Sequence, residues 1–252
     1  MYRGRTGPDR LPHNDATPPG EQCRDLQHAG RLSRLSDAST CSAEYSGDLD
    51  VQLYFNPASP YVRKVRVTAH ELGLGDEIEP ISVALTPVSP HEGVRSSNPI
   101  GKIPTLITDD GTAFYDSPVI CEYLDALAGG NRIFPAVGAA RWTALRRQAI
   151  ADGIMDAAVL TRYEEAVRPK ELRWQAWADG QLLKVRTALD ALEREELEGV
   201  FDIGTISIAC ALGYLDLRFA SEGWRKSRPR LAAWAAAIGQ RPSLAATAPP
   251  AS

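Results

Sequence analysis

No uninterrupted apolar run in this chain approaches the ~20 residues that a bilayer crossing requires, and its first residues contain no short apolar core of the secretory-signal kind. A membrane partner and an export route are therefore not expected, which makes the reading cytoplasmic. Cysteine is sparse as well. Cys23, Cys41, Cys121 and Cys210 stand far apart, form no C-x-x-C pair and have no histidine at metal-ligand spacing, which argues against a disulfide framework and a zinc site. Reduced, structural thiols are expected, and no metal. An excess of positive charge is missing too: 28 Lys and Arg face 32 Asp and Glu, for a net charge of −4, and the cations are scattered. Nothing supplies the dense positive face that phosphate backbones require, so no nucleic-acid partner is expected.

What is present is enough for a folded protein. With 252 residues and 44% hydrophobic content, the chain can bury one large core or two modest ones. Residues 1–50 are rich in Pro, Gly, Ser, Asp and Arg and follow no sustained apolar period, so they are expected to form a disordered extension. Either a regulatory tail or sequence upstream of the true start fits that stretch, because the folded pattern starts abruptly at Val51.

From there the punctuation becomes regular. Val51 to Phe55 reads as a strand, and Ser59 to Leu72 as a helix with Val62, Val65, Ala69 and Leu72 on one face and Gly73 at its end. Ile81, Val83 and Leu85 alternate as a second strand, followed by a Pro- and Ser-containing loop from Thr86 to Pro99. Ile103 to Thr108 and Thr112 to Tyr115 flank the hairpin signal Asp109, Asp110, Gly111. A helix then opens at Asp116, Ser117 and Pro118, carries Val119, Ile120, Tyr123, Leu124 and Leu127 as its stripe, and stops at Gly129 and Gly130. Beyond the Gly-rich linker only helical patterns remain, at about 139–167, 171–196, 202–219 and 228–240. The third is apolar nearly all round and should lie at the centre of its unit. The predicted organisation is an α/β domain over 51–130, in the order βαβ-ββα, followed by an all-α helical domain over 139–244.

Three segments carry candidate chemistry. Asn56 to Lys64 joins a strand end to a helix start, with Ser59 at the cap and Pro60 in the first turn. The plain reading is a good helix cap, but a cap hydroxyl beside free N–H groups and the positive end of the helix dipole also favours an anion. In Asn98 to Leu106, Pro104 interrupts an otherwise good strand start. A cis peptide before it would turn the backbone of Ile103 outward and leave its N–H and C=O free to pair with an extended peptide ligand. Asp116 and Ser117 open a helix, where a carboxylate, a hydroxyl and exposed N–H groups can hold an amino-acid head group.

In this order and spacing, S-P-Y-V-R-K, N-P-x-G-K-I-P and D-S-P resemble the glutathione transferase superfamily in its serine-type bacterial form, over Val51 to about Pro242. The N-P-x-G-K-x-P and D-S-P pair is specific to a thioredoxin-like glutathione site, whereas the S-P helix start alone is weak. The resemblance implies a thioredoxin-like N-terminal domain, an all-helical C-terminal domain, glutathione as co-substrate, a small electrophile as second substrate, a homodimer and a role in detoxification. Carried over, Ser59 would donate a hydrogen bond to the glutathione thiolate as the catalytic residue. Ile103, ahead of Pro104, would pair its backbone with the cysteinyl part, and Asp116 and Ser117 would grip the γ-glutamyl end. Lys102 is long enough to reach the glycine carboxylate, and reads equally as a solvated loop lysine.

The departures from the family pattern are small. Asp116 stands where Glu is commoner, and Asp202 with Thr205 inverts the usual hydroxyl and carboxylate pair at the buried helix, a pairing that can serve the same capping purpose. The position that carries a cysteine in the thiol-transferase and dehydroascorbate-reductase branches is serine here, which favours conjugation over mixed-disulfide chemistry. Tyr54 is the alternative thiol activator, and a non-catalytic binding module the alternative function. Arg63, Lys64 and Arg66 read as a solvated helix face. In the run Ala151 to Ala157, followed by Tyr163, Asp152 and Asp156 share a face and either line the electrophile pocket or form a polar outer surface.

Overall fold

The structure, a computed structural model, describes residues 51–250; the extension expected over 1–50, with Cys23 and Cys41, lies outside the described residues. Strand β1 (Val51–Phe55) sits inside a four-stranded sheet of order β2-β1-β3-β4. It pairs in parallel with β2 (Ile78–Ser82) and antiparallel with β3 (Thr105–Ile107), which pairs antiparallel with the short β4 (Ala113–Phe114). Helix α1 (Pro60–Leu72) connects β1 to β2; α2 (Glu92–Ser97) precedes β3, and α3 (Ser117–Leu127) follows β4.

The second strand starts earlier than its alternation predicts. Ile78 to Ser82 form it, although Pro80 lacks the N–H of a ladder residue; Pro80 sits on an edge strand, where that loss is tolerated. Val83 still donates to Phe55 O at 2.9 Å and is buried, so the pattern misled by extending the strand past its end. The loop expected over 86–99 contains the single-turn-and-a-half helix α2, whose cap is the unusual His91, with Nδ1 accepting from Val94 N at 3.3 Å.

All four residues of the predicted α1 face, Val62, Val65, Ala69 and Leu72, are buried with Val51, Leu53 and Leu106 of the sheet. Gly73 ends the helix at φ 79°, sending its N–H back to the closing carbonyls, a conformation that glycine adopts without a Cβ penalty. Helix α3 buries Ile120 and Leu124, while Tyr123 stacks on Phe114 at 4.1 Å and Val119 faces outward. In its last turn, the buried Asp125 carboxylate accepts the N–H groups of Arg132, Ile133 and Phe134, pinning the glycine-bounded connection to the helical part.

That part consists of α4 (Gly138–Ala166), α5 (Gln175–Leu192), α6 (Ile203–Arg218), α7 (Pro229–Ile238) and α8 (Pro242–Ala246), the last beyond the helices predicted. Helix α6 is the centre, as expected from its nearly uniform apolarity. Gly204 lets its first turn meet α4, because a Cβ there would stand 2.6 Å from Ala144 O and from Arg147 Cβ. No helix of the described residues is long and apolar enough to cross a membrane.

Candidate functional site

Sheet topology alone brings the three motif segments to one edge. Strand β1 runs toward Phe55, and β3 runs against it with Tyr54 opposite Thr105, so the end of β1 and the start of β3 share one end of the sheet. Strand β4 runs against β3 with Phe114 opposite Leu106, so its own end, and Asp116 beyond it, comes to the same place. Ser59, Ile103 and Asp116 are far apart in the chain and are gathered by strand direction.

Each arrives with polar capacity to spare. Ser59 is the N-cap of α1, and its Oγ accepts from Val62 N at a long 3.4 Å, which leaves the hydroxyl proton free to donate. A turn in which Ser59 N donates to Asn56 O, and Ala58 N to Asn56 Oδ1, fixes the approach to the helix. The helix itself provides no partner for the Tyr61 N–H in its first turn. Ile103 is joined to Pro104 by a cis peptide bond, and neither its N–H nor its C=O has a partner among the described residues. Asp116 caps α3 with no side-chain cap hydrogen bond and is exposed, while the adjoining Ser117 is buried. The Lys102 side chain is exposed and Pro104 is buried.

Sequence reasoning quoted Asn98 without giving it a role. The structure buries it at 1% exposure, with Nδ2 donating to Lys102 O and Thr105 Oγ1, both at 3.0 Å, and Oδ1 accepting from Ile100 N. Asn98 thus holds the loop that presents Ile103, helped by Gly101 at φ 67°. An asparagine just before Pro-x-Gly is a recognisable signal for such a turn.

The solvated cationic face expected on α1 is corrected. Lys64 is fully buried, and its Nζ meets Asp152 Oδ1 of α4 at 2.6 Å. Arg63 donates from Nη2 to Leu244 O, and Arg66 lies 5.9 Å from the Phe55 ring centroid. Packing of α1 against α3 and α6, with α4 reaching it through Asp152 and Asp156, leaves little solvent for these cations. Burial raises the Asp152 pKa, Lys64 opposes that rise, and the carboxylates of Asp156 and Asp116 add to it. Asp152 and Asp156 both turn toward α1 close behind the Ser59 cap, Asp152 to Lys64 and Asp156 to the Tyr61 hydroxyl, which its carboxylate accepts, although Asp156 itself is exposed. Burial first, and then the hydrogen bond to Asp156, push the Tyr61 phenol up, so it remains a proton donor. Tyr163 is half-buried.

Tyr54 tilts against the His91 ring at 6.2 Å, and its hydroxyl approaches Gly93 of α2. Cys121 and Cys210 are both buried, and burial pushes their thiols up to about 12 and about 11, which makes them poor nucleophiles. Asp202 and Thr205 form a reciprocal capping box, Thr205 N donating to Asp202 Oδ1 at 3.0 Å and Asp202 N to Thr205 Oγ1 at 2.9 Å, so the inverted pair does cap α6. No group of three or more His, Cys, Asp or Glu among the described residues is arranged to hold a metal.

A mixed sheet flanked by helices, joined to a helical bundle and carrying strand-end polar groups along one edge, is the thioredoxin-like fold with an all-α partner. Residues 58–127 match the model of the glutathione S-transferase N-terminal domain and residues 175–237 that of the C-terminal domain. The chain is 34% identical over 197 residues to the GST-like protein YibF of Escherichia coli (strain K12), covering 76% of this chain and 95% of YibF. It is also 51% identical to a glutathione transferase family member from Pseudomonas fluorescens Pf-5 whose crystal structure holds bound glutathione, with a TM-score of 0.78 over 79% of this chain and 99% of that one. A second structure from Pseudomonas fluorescens Pf-5, likewise 51% identical, holds S-(propanoic acid)-glutathione and gives a TM-score of 0.74 over 79% and 100% of the two chains. The chain belongs to the glutathione S-transferase family.

Proposed function

We propose that this protein is a glutathione transferase that binds glutathione along the sheet edge and activates its thiol, through Ser59, for attack on a small electrophile. The observation that carries this reading is the set of polar groups at that edge with no partner in the described chain: the Ser59 hydroxyl proton, the Ile103 N–H and C=O, and the Asp116 carboxylate. They match the three parts of the tripeptide. Asp116 accepts from the γ-glutamyl ammonium while Ser117 donates to its carboxylate; Ile103 pairs with the cysteinyl backbone; Lys102 faces the glycine carboxylate.

A free thiol titrates near ~8.5, so lowering it by about two units makes most of the bound sulfur anionic at neutral pH. The Ser59 O–H donates to that sulfur, and the Tyr61 N–H and the N-terminal end of α1 add positive potential. The thiol proton leaves to solvent, the sulfur forms a bond to the electrophilic carbon, and the displaced electron pair goes to a departing halide, to an epoxide oxygen that opens and stays attached, or to an isothiocyanate nitrogen, the last two taking a proton from solvent. Binding of glutathione and of a glutathione thioether by the 51% identical relative supports both the co-substrate and a pocket beside the sulfur. The reading includes a cytoplasmic homodimer, supported by the exposed Val119, Val137 and Trp142 on and beside the outer surfaces of α3 and α4.

Calorimetric titration with glutathione, followed by turnover against an activated aryl halide, an epoxide and an isothiocyanate, tests the proposal. Binding with turnover is the expected result. Binding without turnover on a wide electrophile panel would establish the non-catalytic module instead, and absence of binding would overturn the site.

A further inference from the structure

Helices α4 and α6 both run past the start of α1. Helix α6 begins near the far end of α1, where Ile203 N donates to Ile133 O and the Arg132 side chain donates to the Leu72 and Glu71 carbonyls. It returns along α1, with Gly213 against the Arg63 guanidinium. Its last turn, which ends at Arg218, therefore reaches the level of the Ser59 cap. Helix α4 runs the same way: Ala144 and Arg147 meet Gly204, Asp152 meets Lys64, and Asp156 meets Tyr61. Residues after Asp156 extend beyond the first turn of α1, on the side of the Ser59 hydroxyl.

The facing surfaces of α4 and α6 both end in arginine. The buried stripe of α4 reads Ala144, Gln148, Ala151, Met155, Ala158, and the next helical step is Arg162. That of α6 reads Gly204, Ser207, Ala211, Tyr214, and its next step is Arg218. Arg162 is half-buried and Arg218 exposed, and neither makes a hydrogen bond or an ion pair among the described residues. The carboxylates nearby are engaged elsewhere: Asp216 by Arg225, Glu164 by Arg168, and Asp156 by the Tyr61 hydroxyl. Tyr214 belongs to the same corner. It is 6% exposed, yet its hydroxyl makes no hydrogen bond among the described residues. Burial pushes its phenol up to about 12, Arg218 and Arg162 both counter that rise, and Tyr163 adds to it, so all three stand around one hydroxyl. Tyr214 in turn adds to the rise at Tyr61, the second residue after Ser59.

We infer that Arg162, Arg218 and Tyr214 hold a carboxylate carried by the second substrate, which makes that substrate a small electrophilic carboxylic acid. The inference rests on the transferase reading given above. A cation in a last helical turn is favoured by the helix dipole alone, which accounts for each arginine singly but leaves the buried phenol unsatisfied. The two helix ends offset roughly half a charge each, so about one positive charge remains, enough for a monoanion. Planar guanidiniums suit the two oxygens of a carboxylate, and the protonated phenol adds a further donor. With a chloroalkanoate, the thiol proton leaves to solvent and the sulfur bonds to the chlorine-bearing carbon. The C–Cl bond breaks, chloride leaves with the electron pair, and the carboxylate stays on the arginines.

The test is calorimetry of the full chain with S-carboxymethylglutathione and S-(2-carboxyethyl)glutathione, each against its own amide, with glutathione as the reference. At least one acid should bind about tenfold tighter than its amide, as hydrogen bonds to a charged group require. Arg162→Gln and Arg218→Gln should each reduce that preference and the double variant should abolish it, while glutathione and both amides bind as in the wild type. Tyr214→Phe, which keeps the ring in place, should weaken the acid alone. In turnover, chloroacetate should be preferred over chloroacetamide, each measured relative to its uncatalysed rate. Acids that bind no tighter than their amides, a preference that survives in the double variant, or equal losses for acid and amide would each overturn the inference, and glutathione binding would then leave the transferase reading standing. If glutathione itself does not bind, that reading falls and the inference falls with it.

Discussion

Among the described residues two helices begin with an aspartate, and the two carboxylates are used in opposite ways. Asp202, at the start of α6, is buried, accepts the Thr205 N–H, and has its own N–H taken up by the Thr205 hydroxyl. Asp116, at the start of α3, is exposed and makes no cap hydrogen bond at all. A capping carboxylate normally contributes about 1 kcal/mol to its helix, so its idleness at Asp116 is a stability contribution forgone. The start of α6 satisfies its polar groups within the chain, whereas the start of α3 leaves the Asp116 carboxylate without a hydrogen-bond partner among the described residues.

The largest expected effect tests how tightly the two regions are joined. Lys64→Met leaves Asp152 beside apolar surroundings without its cation, and should lower the unfolding free energy by about 3 kcal/mol, the low end for breaking a buried pair. Adding Asp152→Leu should recover part of that loss. Chemical denaturation of the two variants checks it; an equal or larger loss in the double variant would mean that the ion pair is not what the single change breaks.

Next comes Ser59→Ala, which should cost on the order of 10² in turnover at neutral pH and raise the pKa of bound glutathione, with affinity little changed. An ultraviolet thiolate titration of the complex reads this directly, and Tyr54→Phe should leave the titration in place. If Tyr54→Phe alone moves it, the tyrosine and not the serine activates the thiol.

The paired aspartates give the sharpest form of the comparison. Asp202→Ala should destabilise the fold by about 2 kcal/mol, because the Thr205 N–H loses its buried acceptor. Asp116→Ala should leave the melting temperature of the unliganded protein unchanged while weakening glutathione by roughly 1.5 to 3 kcal/mol. Equal stability losses at the two positions would erase the distinction.

The smallest effect concerns acid. Burial tends to raise the Glu195 pKa, but hydrogen bonds from Arg146 and Arg147 outweigh it and hold the carboxyl below its usual 4.5. A folded pKa below the unfolded one gives stability that is present above pH 4.5 and is lost as pH falls through the folded value. Glu195→Gln should therefore lower stability at neutral pH by a small amount and flatten the acid limb below pH 4.5, as followed by melting temperature against pH.

Local signals explain what could be read beforehand. The α1 face, the proline before β3, the aspartate opening α3 and the apolar α6 are written in runs of a few residues, where periodicity and turn chemistry act directly. Lys64 was misread because its neighbours in sequence, Arg63 and Arg66, suggest a wet face, and only the packing of α4 against α1 reveals that Asp152 meets it. The end of β2 was misplaced because Val83 is buried by the sheet without belonging to the strand. The role of Asn98 was hidden for a similar reason, since its three hydrogen bonds exist only once the loop is closed.

The antiparallel run of β3 between β1 and β4 has a thermodynamic consequence. Because Ser59, Ile103 and Asp116 meet only when all three strands are in register, no fragment of the unfolded chain can offer the assembled edge to a ligand. A tripeptide bound there therefore acts on the folding equilibrium by mass action, adding about 1.4 kcal/mol to the unfolding free energy for every tenfold excess over its Kd. The cellular concentration of such a ligand then sets how much loss from mutation the sheet can absorb before it opens.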